Sequence, residues 1–166
     1  MALREILRWP DPLLSRVCAP VGDDEDVGGL VSDMFDTMYA APGRGLAAPQ
    51  VGVLKRVFVM DVTWKAGPRT PLALINPQVI DRAPDIQTTR EGCLSIPGVL
   101  IDVARPEAVT MAWTDESGRL REDRFTGFAA VCAQHELDHL DGIVTLDRVS
   151  PEVRRMAEAD YDGGGR

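Results

Sequence analysis

Both histidines of this chain lie one helical turn apart, in the stretch Gln134-His135-Glu136-Leu137-Asp138-His139. On a helix, positions i and i+4 face the same way, so His135 and His139 can bind one ion while Glu136 lies beside it. This arrangement is typical of a metal site with a general base next to it. The stretch therefore predicts a helix that carries a metal-dependent hydrolytic site, and the remainder of the chain has to fold around that helix.

The other elements are predicted from apolar periodicity and from turn residues. The metal-binding helix is expected to run from about Gly127 through Leu140, with Gly142 ending it in the left-handed conformation. An earlier helix is predicted over 27–41. Strands are predicted at 54–61, 72–76 and 109–114, and a return arm at 119–125. Together these elements predict an α+β fold in which antiparallel strands pack around a central metal-binding helix.

Chain length and composition predict one domain. With 166 residues, of which 45% are apolar, the chain is long enough to bury a single core, and the predicted domain spans residues 1–166. No apolar run approaches the ~20 residues that a membrane span requires. Residues 151–166 are expected to form a short polar tail with a frayed end, to which no function is assigned.

Cysteine usage and charge constrain the compartment and the partners. Three cysteines form an odd, sparse set, which favours free thiols in a reducing compartment over a disulfide framework. The N-terminal residues show no export signal, so a cytoplasmic location is expected. A net charge of −8 and scattered arginines argue against direct binding to nucleic acid, and no membrane contact is expected.

A third metal ligand has to come from outside the helix. Cys132 shares a helix face with the histidines, but the axial rise from Cys132 to His139 is about 10 Å, too far for ligands that hold an ion at ~2.0–2.3 Å. Cys93 is the better candidate, because Gly92 before it allows close backbone approach and the N–H after it can point at a substrate. Together with the two histidines it leaves one tetrahedral position for water. The alternative, that Cys93 is a small buried apolar residue, stays open at this point.

The glycine-rich segment Gly43-Arg44-Gly45-Leu46-Ala47-Ala48-Pro49-Gln50-Val51-Gly52 is not a phosphate loop. It lacks the Lys-Ser/Thr end of a P-loop and the third glycine of a dinucleotide fingerprint. Its small residues suit a backbone that runs close to a metal or beside an extended peptide. Gln50 adds a neutral amide donor that can stabilise an oxyanion.

Three motifs, in this order, resemble the signature motifs of the peptide deformylases: GRGLAAPQVG at 43–52, EGCLS at 91–95 and QHELDHLDG at 134–142. The resemblance extends to the N-terminal segment at 6–14 and covers roughly residues 3–150. Members of this family are metalloenzymes that remove the formyl group from the N-terminal methionine of new polypeptides. The resemblance therefore implies a peptide deformylase-like fold, with N-formylmethionyl peptides or nascent chains as partners, and it leaves a transient contact with the ribosome open.

The resemblance also implies the roles of the site residues. One divalent ion would be bound by Cys93, His135 and His139. Glu136 would be the general acid and base, and Gln50 together with the backbone N–H of Leu94 would stabilise the oxyanion. Fe²⁺ is the cellular metal of the family, and Zn²⁺, Ni²⁺ or Co²⁺ can replace it; a Cys-His-His set does not by itself select one of them.

A substrate cleft is implied in the same way, and its residues are Gly45, Gly92, Leu100, Phe128, Val131 and Cys132. Two positions depart from the family pattern. Leu100 stands where many members carry Arg, and Arg44 stands where many carry an aliphatic residue, so peptide preference beyond methionine is not set by the resemblance. Arg105 is retained and is expected to pair with Glu91, the alternative being an exposed charge.

Two other functions stay open from the sequence. Zinc endopeptidases with an HExxH motif often take a downstream Glu as third ligand, and Glu158 lies downstream of His139. That interpretation leaves Cys93 and its motif without a role. The other alternative is a deformylase-like hydrolase or binder with a different formylated or acylated substrate, because a fold does not determine a substrate.

Overall fold

Three α-helices and seven β-strands make up the computed structural model within residues 2–163, the part of the chain that it describes. The helices are α1 (Gly28–Ala40), α2 (Gly127–Leu140) and α3 (Pro151–Gly163). The strands are β1 (Gly45–Ala47), β2 (Val57–Met60), β3 (Leu72–Arg82), β4 (Ile86–Cys93), β5 (Ile96–Pro106), β6 (Ala108–Thr114) and β7 (Leu120–Thr126).

Five of these strands form one antiparallel sheet in the order β1-β2-β3-β6-β7, and β4 and β5 form a separate antiparallel hairpin. Helix α2 contacts β1, β2, β6 and β7 of the sheet, and it also contacts β5. Apolar residues of α2, including Ala133, Leu137 and Leu140, pack in one cluster with Phe58 and Met111 of the sheet. The predicted α+β architecture with a central helix is therefore confirmed.

Helix α2 has the bounds that the sequence predicted, and its C-terminal end shows why. Gly142 adopts a φ of 73°, in the left-handed region that favours glycine. A Cβ at this position would also lie 2.7 Å from the backbone of Ser15. Both the conformation and the close approach require glycine, so the chain ends the helix here and continues past the N-terminal segment.

The β4–β5 hairpin was not predicted, although it carries Cys93. Strand β4 has the sequence IQTTREGC, in which polar residues dominate, so its pattern does not indicate a buried strand. Most of its length pairs residue by residue with β5, from Ile86↔Pro106 to Glu91↔Ile101. Pairing with β5 holds β4 in its extended conformation. Strand β5 in turn is fixed by its own side chains, because it buries every second residue along much of its length.

The predicted polar tail is wrong for residues 151–163, which form helix α3. Ala157 and Tyr161 are only 4% and 3% exposed, and they belong to the cluster that packs against β5. The hydroxyl of Tyr161 donates a hydrogen bond of 2.7 Å to the carbonyl oxygen of Trp9. Residues 164–166 lie outside the described part of the chain. None of the helices in residues 2–163 is both long and apolar enough to cross a membrane.

Candidate metal centre

Helix α2 places three polar side chains in the interior. His135, Glu136 and His139 are 8%, 4% and 1% exposed. Burial of imidazoles and a carboxylate is unfavourable unless they are hydrogen-bonded or bind an ion. Such a group of buried polar residues therefore indicates a site.

Cys93 reaches these histidines from β4. Its Sγ lies 3.4 Å from Nε2 of His139, and one ligand atom from each of Cys93, His135 and His139 lies within 4.8 Å of the other two. The structure thus brings together the three residues that were predicted as metal ligands. Cys132 is not part of this group. Its Sγ lies 3.6 Å from the carbonyl oxygen of Arg44 instead.

The donor set fits a divalent transition metal. Ligand atoms held at ~2.0–2.3 Å with tetrahedral angles are separated by roughly 3.5 Å, close to the 3.4 Å between Sγ of Cys93 and Nε2 of His139. Burial and the neighbouring His135 lower the pKa of His139 well below its ordinary value, which keeps this imidazole in the neutral form that binds metals. One thiol and two imidazoles suit Fe²⁺, Zn²⁺, Ni²⁺ or Co²⁺.

A chain of ion pairs, buried except at Arg148, holds His135 in place. Nδ1 of His135 lies 2.9 Å from Oε1 of Glu91, which leaves Nε2 for an ion. Arg105 donates to both carboxylate oxygens of Glu91, at 2.6 Å and 3.0 Å, and to Asp138 at 2.9 Å. Arg148 in turn donates to Asp138 at 2.7 Å and 3.0 Å. The expected pairing of Arg105 with Glu91 is confirmed.

The charge state of Glu91 follows from this chain. Burial opposes its ionisation, but hydrogen bonds from His135 and Arg105 outweigh burial and lower the pKa of Glu91. Glu91 is therefore a carboxylate that accepts from the ring of His135. This contact fixes the orientation of the ring before any ion binds.

Gln50 is held with its amide group next to the cysteine. Its Oε1 accepts a hydrogen bond of 2.9 Å from the backbone N–H of Ala47, which assigns the amide orientation. Its Nε2 donates to Oγ of Ser95 at 3.0 Å and lies 3.7 Å from Sγ of Cys93. The buried hydroxyl of Ser95 thus orients the Gln50 amide toward the metal site.

Glu136 has a carboxylate oxygen without a partner. Its Oε1 is buried and accepts no hydrogen bond from residues 2–163, while its Oε2 lies 3.9 Å from Nε2 of His135. Burial raises the pKa of Glu136 to about 7. A Cβ at Gly45 would lie 2.5 Å from Oε2 of Glu136 and 2.8 Å from Sγ of Cys132. The glycine-rich segment can lie this close to the carboxylate only because residue 45 has no side chain.

A cleft of about 1130 Å³ opens above these residues. Its walls include every residue that was predicted to bind substrate: Gly45, Gly92, Leu100, Phe128, Val131 and Cys132. Leu100 and Phe128 are 64% and 49% exposed, so they lie at its mouth. Gln50, Leu94 and Glu136 also line the cleft, which therefore connects the predicted substrate residues with the reactive ones.

The endopeptidase alternative is wrong. Glu158 lies on α3, where its carboxylate pairs with Arg154 at 2.8 Å. The ligand cluster found among residues 2–163 is completed by Cys93, which the endopeptidase interpretation left without a role.

Sequence reasoning missed two contacts that support the site. The contact of Glu91 with His135 joins positions 44 residues apart, and Ser95 accepts from Gln50 across 45 residues. Neither pair has a local pattern that indicates it. The available signal was the EGCLS motif, which places Glu91 and Ser95 two residues before and after Cys93.

Comparisons with known proteins agree with this geometry. The family model described as "Polypeptide deformylase" matches residues 3–155. A peptide deformylase of Alkalilimnicola ehrlichii is 50% identical over 156 residues, which cover 93% of this chain and 86% of that protein. A crystal structure of a peptide deformylase from Legionella pneumophila superposes with a TM-score of 0.91 at 39% identity, covering 98% of this chain and 95% of that chain. A peptide deformylase from Synechococcus elongatus in complex with actinonin has a TM-score of 0.89 at 40% identity, covering 97% and 88%.

Proposed function

The chain belongs to the peptide deformylase family and is a metal-dependent hydrolase that removes the formyl group from N-formylmethionyl peptides, and we propose how its own residues perform this reaction. The observation that carries the proposal is the convergence of Cys93 on the two histidines of α2, next to a buried carboxylate that has an unpaired oxygen. A ligand set, an acid–base group and a cleft then occupy one place.

Cys93, His135 and His139 would hold the metal. A divalent ion bound there supplies Lewis acidity, which polarises a carbonyl and lowers the pKa of water. We propose Fe²⁺ as the native ion, as the family resemblance implies. Zn²⁺, Ni²⁺ or Co²⁺ can replace it, because all four suit a thiolate and two imidazoles. Glu91 supports the site by keeping Nε2 of His135 directed at the ion.

Glu136 moves the proton in this proposal. Its carboxylate accepts a proton from the attacking water as oxygen bonds to the formyl carbon. It then delivers that proton to the departing nitrogen, so that the C–N bond breaks and formate and a free amino terminus are released. The proposal is supported by the unpaired Oε1 and by the lack of a side chain at Gly45, which keeps the space beside the carboxylate open.

Gln50 and the backbone N–H of Leu94 stabilise the negative charge that develops on the formyl oxygen. The Gln50 amide is fixed by Ala47 and Ser95, so it does not have to reorganise during the reaction. Leu94 lies in the two-residue turn between β4 and β5, directly after Cys93. Its backbone N–H is therefore at the same end of the hairpin as the cysteine.

The methionine side chain would enter the apolar part of the cleft, next to Phe128, Val131 and Cys132. Gly45, Gly92 and Leu100 border the path of the peptide that follows it. We further propose that the enzyme acts in the cytoplasm and contacts the ribosome transiently, since nascent chains present the formylated terminus there.

The deciding experiment compares the wild type with Glu136→Gln after loading with Fe²⁺ under anaerobic conditions. Formate release from formyl-Met-Ala-Ser is measured together with bound metal. The variant is expected to keep its metal and to lose about 10²–10⁴-fold in kcat, because only proton transfer is removed. Glu152→Gln, an exposed change of the same type on α3, is the matched control. Near-normal formate release by Glu136→Gln would refute the assignment, and faster turnover of formyl peptides without methionine would favour a different substrate.

A further inference from the structure

More cationic than acidic side chains line the cleft, although the chain as a whole is acidic. Five cationic side chains line it: Arg4, Arg8, Arg44, Lys65 and Arg90. Of the three acidic residues that line it, Glu91 is paired with Arg105 and Glu136 lies beside the metal ligands, which leaves Glu5. A local excess of cations on a chain with a net charge of −8 indicates attraction of an anionic group.

Three of these cations are not neutralised by the protein. Arg4 pairs with Asp33, and Arg90 has a long contact of 3.4 Å with Asp102. Within residues 2–163, Arg8, Arg44 and Lys65 form no salt bridge. Their charges are therefore available to a ligand in the cleft.

Arg44 is the best-placed of the three. Its guanidinium lies 5.2 Å above the ring of Phe128, a residue of the predicted methionine pocket. A cation–π contact of this kind restrains the guanidinium over the ring while its N–H groups stay free to bind a carboxylate in bidentate fashion. Arg44 also directly precedes Gly45, the residue that lies against Glu136.

We propose that Arg44, assisted by Lys65 and Arg8, makes the enzyme prefer formylmethionyl peptides with acidic side chains immediately after the methionine. This preference rests on the proposed function, because it names the substrate class of the same cleft. An extended peptide advances ~3.3 Å per residue, so the second and third residues lie within about 10 Å of the formyl group. Arg44 precedes Gly45, the residue that lies against Glu136. The positive charge of Arg44 is therefore close to this part of the peptide.

Peptides with amidated C-termini test the proposal without a terminal carboxylate. The substrates are formyl-Met-Glu-Glu-amide, formyl-Met-Gln-Gln-amide and formyl-Met-Lys-Lys-amide, with kcat/KM measured for each on the metal-loaded enzyme at low ionic strength. The wild type is expected to favour the glutamate over the lysine peptide about five- to tenfold, since one exposed attraction and one exposed repulsion each contribute a few-fold. The ratio should decrease in high salt.

Arg44→Leu is expected to bring the ratio to about one- to twofold. Arg119→Leu removes the same charge from an exposed position in the β6–β7 turn and should leave the ratio at the wild-type value. Equal rates for the three peptides in the wild type, or a ratio that survives Arg44→Leu, would overturn the proposal. A gain seen only when the free-acid form of the glutamine peptide replaces its amide would overturn it too, by assigning the cations to a terminal carboxylate.

Three further outcomes are distinguishable. Equal peptide rates together with an Arg44-dependent affinity for a fluorescein-labelled RNA hairpin would assign the cations to RNA phosphates instead. Turnover of formyl-Met-Ala-Ser, together with no preference for the glutamate peptide over the lysine peptide, would refute this inference and leave the proposed function intact. If the loaded enzyme hydrolyses none of the formyl peptides, the proposed function fails and the inference fails with it.

Discussion

Arg105 and Glu91 form a bidentate ion pair beneath the metal centre, with Nε–Oε2 and Nη2–Oε1 distances of 2.6 Å and 3.0 Å. Both side chains are almost fully buried, at 5% and 3% exposure. Oε1 of Glu91, which accepts the hydrogen bond from Nη2 of Arg105, also lies 2.9 Å from Nδ1 of His135. Stability of the hairpin and orientation of a metal ligand therefore depend on the same pair.

Replacing Arg105 by Leu is expected to destabilise the fold by about 3–5 kcal/mol, because the buried carboxylate of Glu91 loses its bidentate partner and Asp138 keeps only Arg148. Metal affinity should also fall about 10–100-fold, since Glu91, which orients the ring of His135, is no longer held by Arg105. Denaturant unfolding and competition with a metal chelator measure the two effects. Arg90→Leu removes an exposed pair from the same hairpin and should change stability by less than about 0.5 kcal/mol. Equal effects of both substitutions would contradict this account.

A methyl group at position 45 tests how tightly the glycine-rich segment lies against Glu136. Gly45→Ala places a Cβ 2.5 Å from Oε2 of Glu136, so the carboxylate or the backbone has to move. We expect kcat/KM for a formyl peptide to fall at least about tenfold and stability to fall by about 1–3 kcal/mol. Gly29→Ala on α1, where no atom lies within 4 Å of the added Cβ, should keep full activity and gain up to about 1 kcal/mol. Full activity of Gly45→Ala would show that the contact has no role.

The elements that could be predicted are those whose sequence pattern reflects their own burial. Helix α2 is apolar along most of its length and is followed by Gly142, and strand β6 alternates and leads into the turn at Asp115–Gly118, so local rules sufficed for both. Strand β4 could not be found this way, because its residues are ordered by pairing with β5 rather than by apolar side chains. Helix α3 is polar except for the few residues that contact β5, which made it look like a tail.

The attachment of α3 can be tested at Tyr161. Tyr161→Phe removes the hydrogen bond to the carbonyl of Trp9 and leaves that partly buried acceptor with one partner fewer. A loss of about 1–2 kcal/mol in the free energy of unfolding is expected, with metal content unchanged. Met156→Ala, at a position of the same helix that is 70% exposed, should be nearly neutral. An unchanged midpoint of urea unfolding for Tyr161→Phe would mean that the helix adds little to the fold.

At the site, the residues that could be predicted are those with a characteristic chemistry and spacing. His135, Glu136 and His139 follow from the helix pattern alone, whereas the choice of Cys93 and Gln50 gained most from resemblance to a family. The supporting contacts of Glu91 and Ser95 join residues 44 and 45 positions apart. They depend on how the hairpin lies against α2 and against the segment that carries Gln50, which no local pattern encodes.

A partly buried tyrosine–carboxylate pair connects α1 to the segment after β2. The hydroxyl of Tyr39 donates a hydrogen bond of 2.6 Å to Oδ2 of Asp61, whose carboxylate also accepts from the backbone N–H groups of Thr63 and Thr70. Burial comes first and the Asp61 carboxylate second in raising the pKa of Tyr39 to about 12. The pair therefore stabilises the protein only while Tyr39 keeps its proton.

The stability contributed by this pair should be lost in alkaline solution. The pKa of Tyr39 is higher in the folded state than the value of about 10 in an unfolded chain, so its contribution is complete below pH 10 and declines as the pH rises toward 12. At pH 8, Tyr39→Phe is expected to be about 1–2 kcal/mol less stable than the wild type, because Asp61 loses a donor. By about pH 11.5 most of this difference should have disappeared, since the wild type by then lacks most of the benefit. Urea unfolding of both proteins at a series of pH values measures the difference, and a constant value from pH 8 to pH 11.5 would show that the hydrogen bond does not control ionisation of Tyr39.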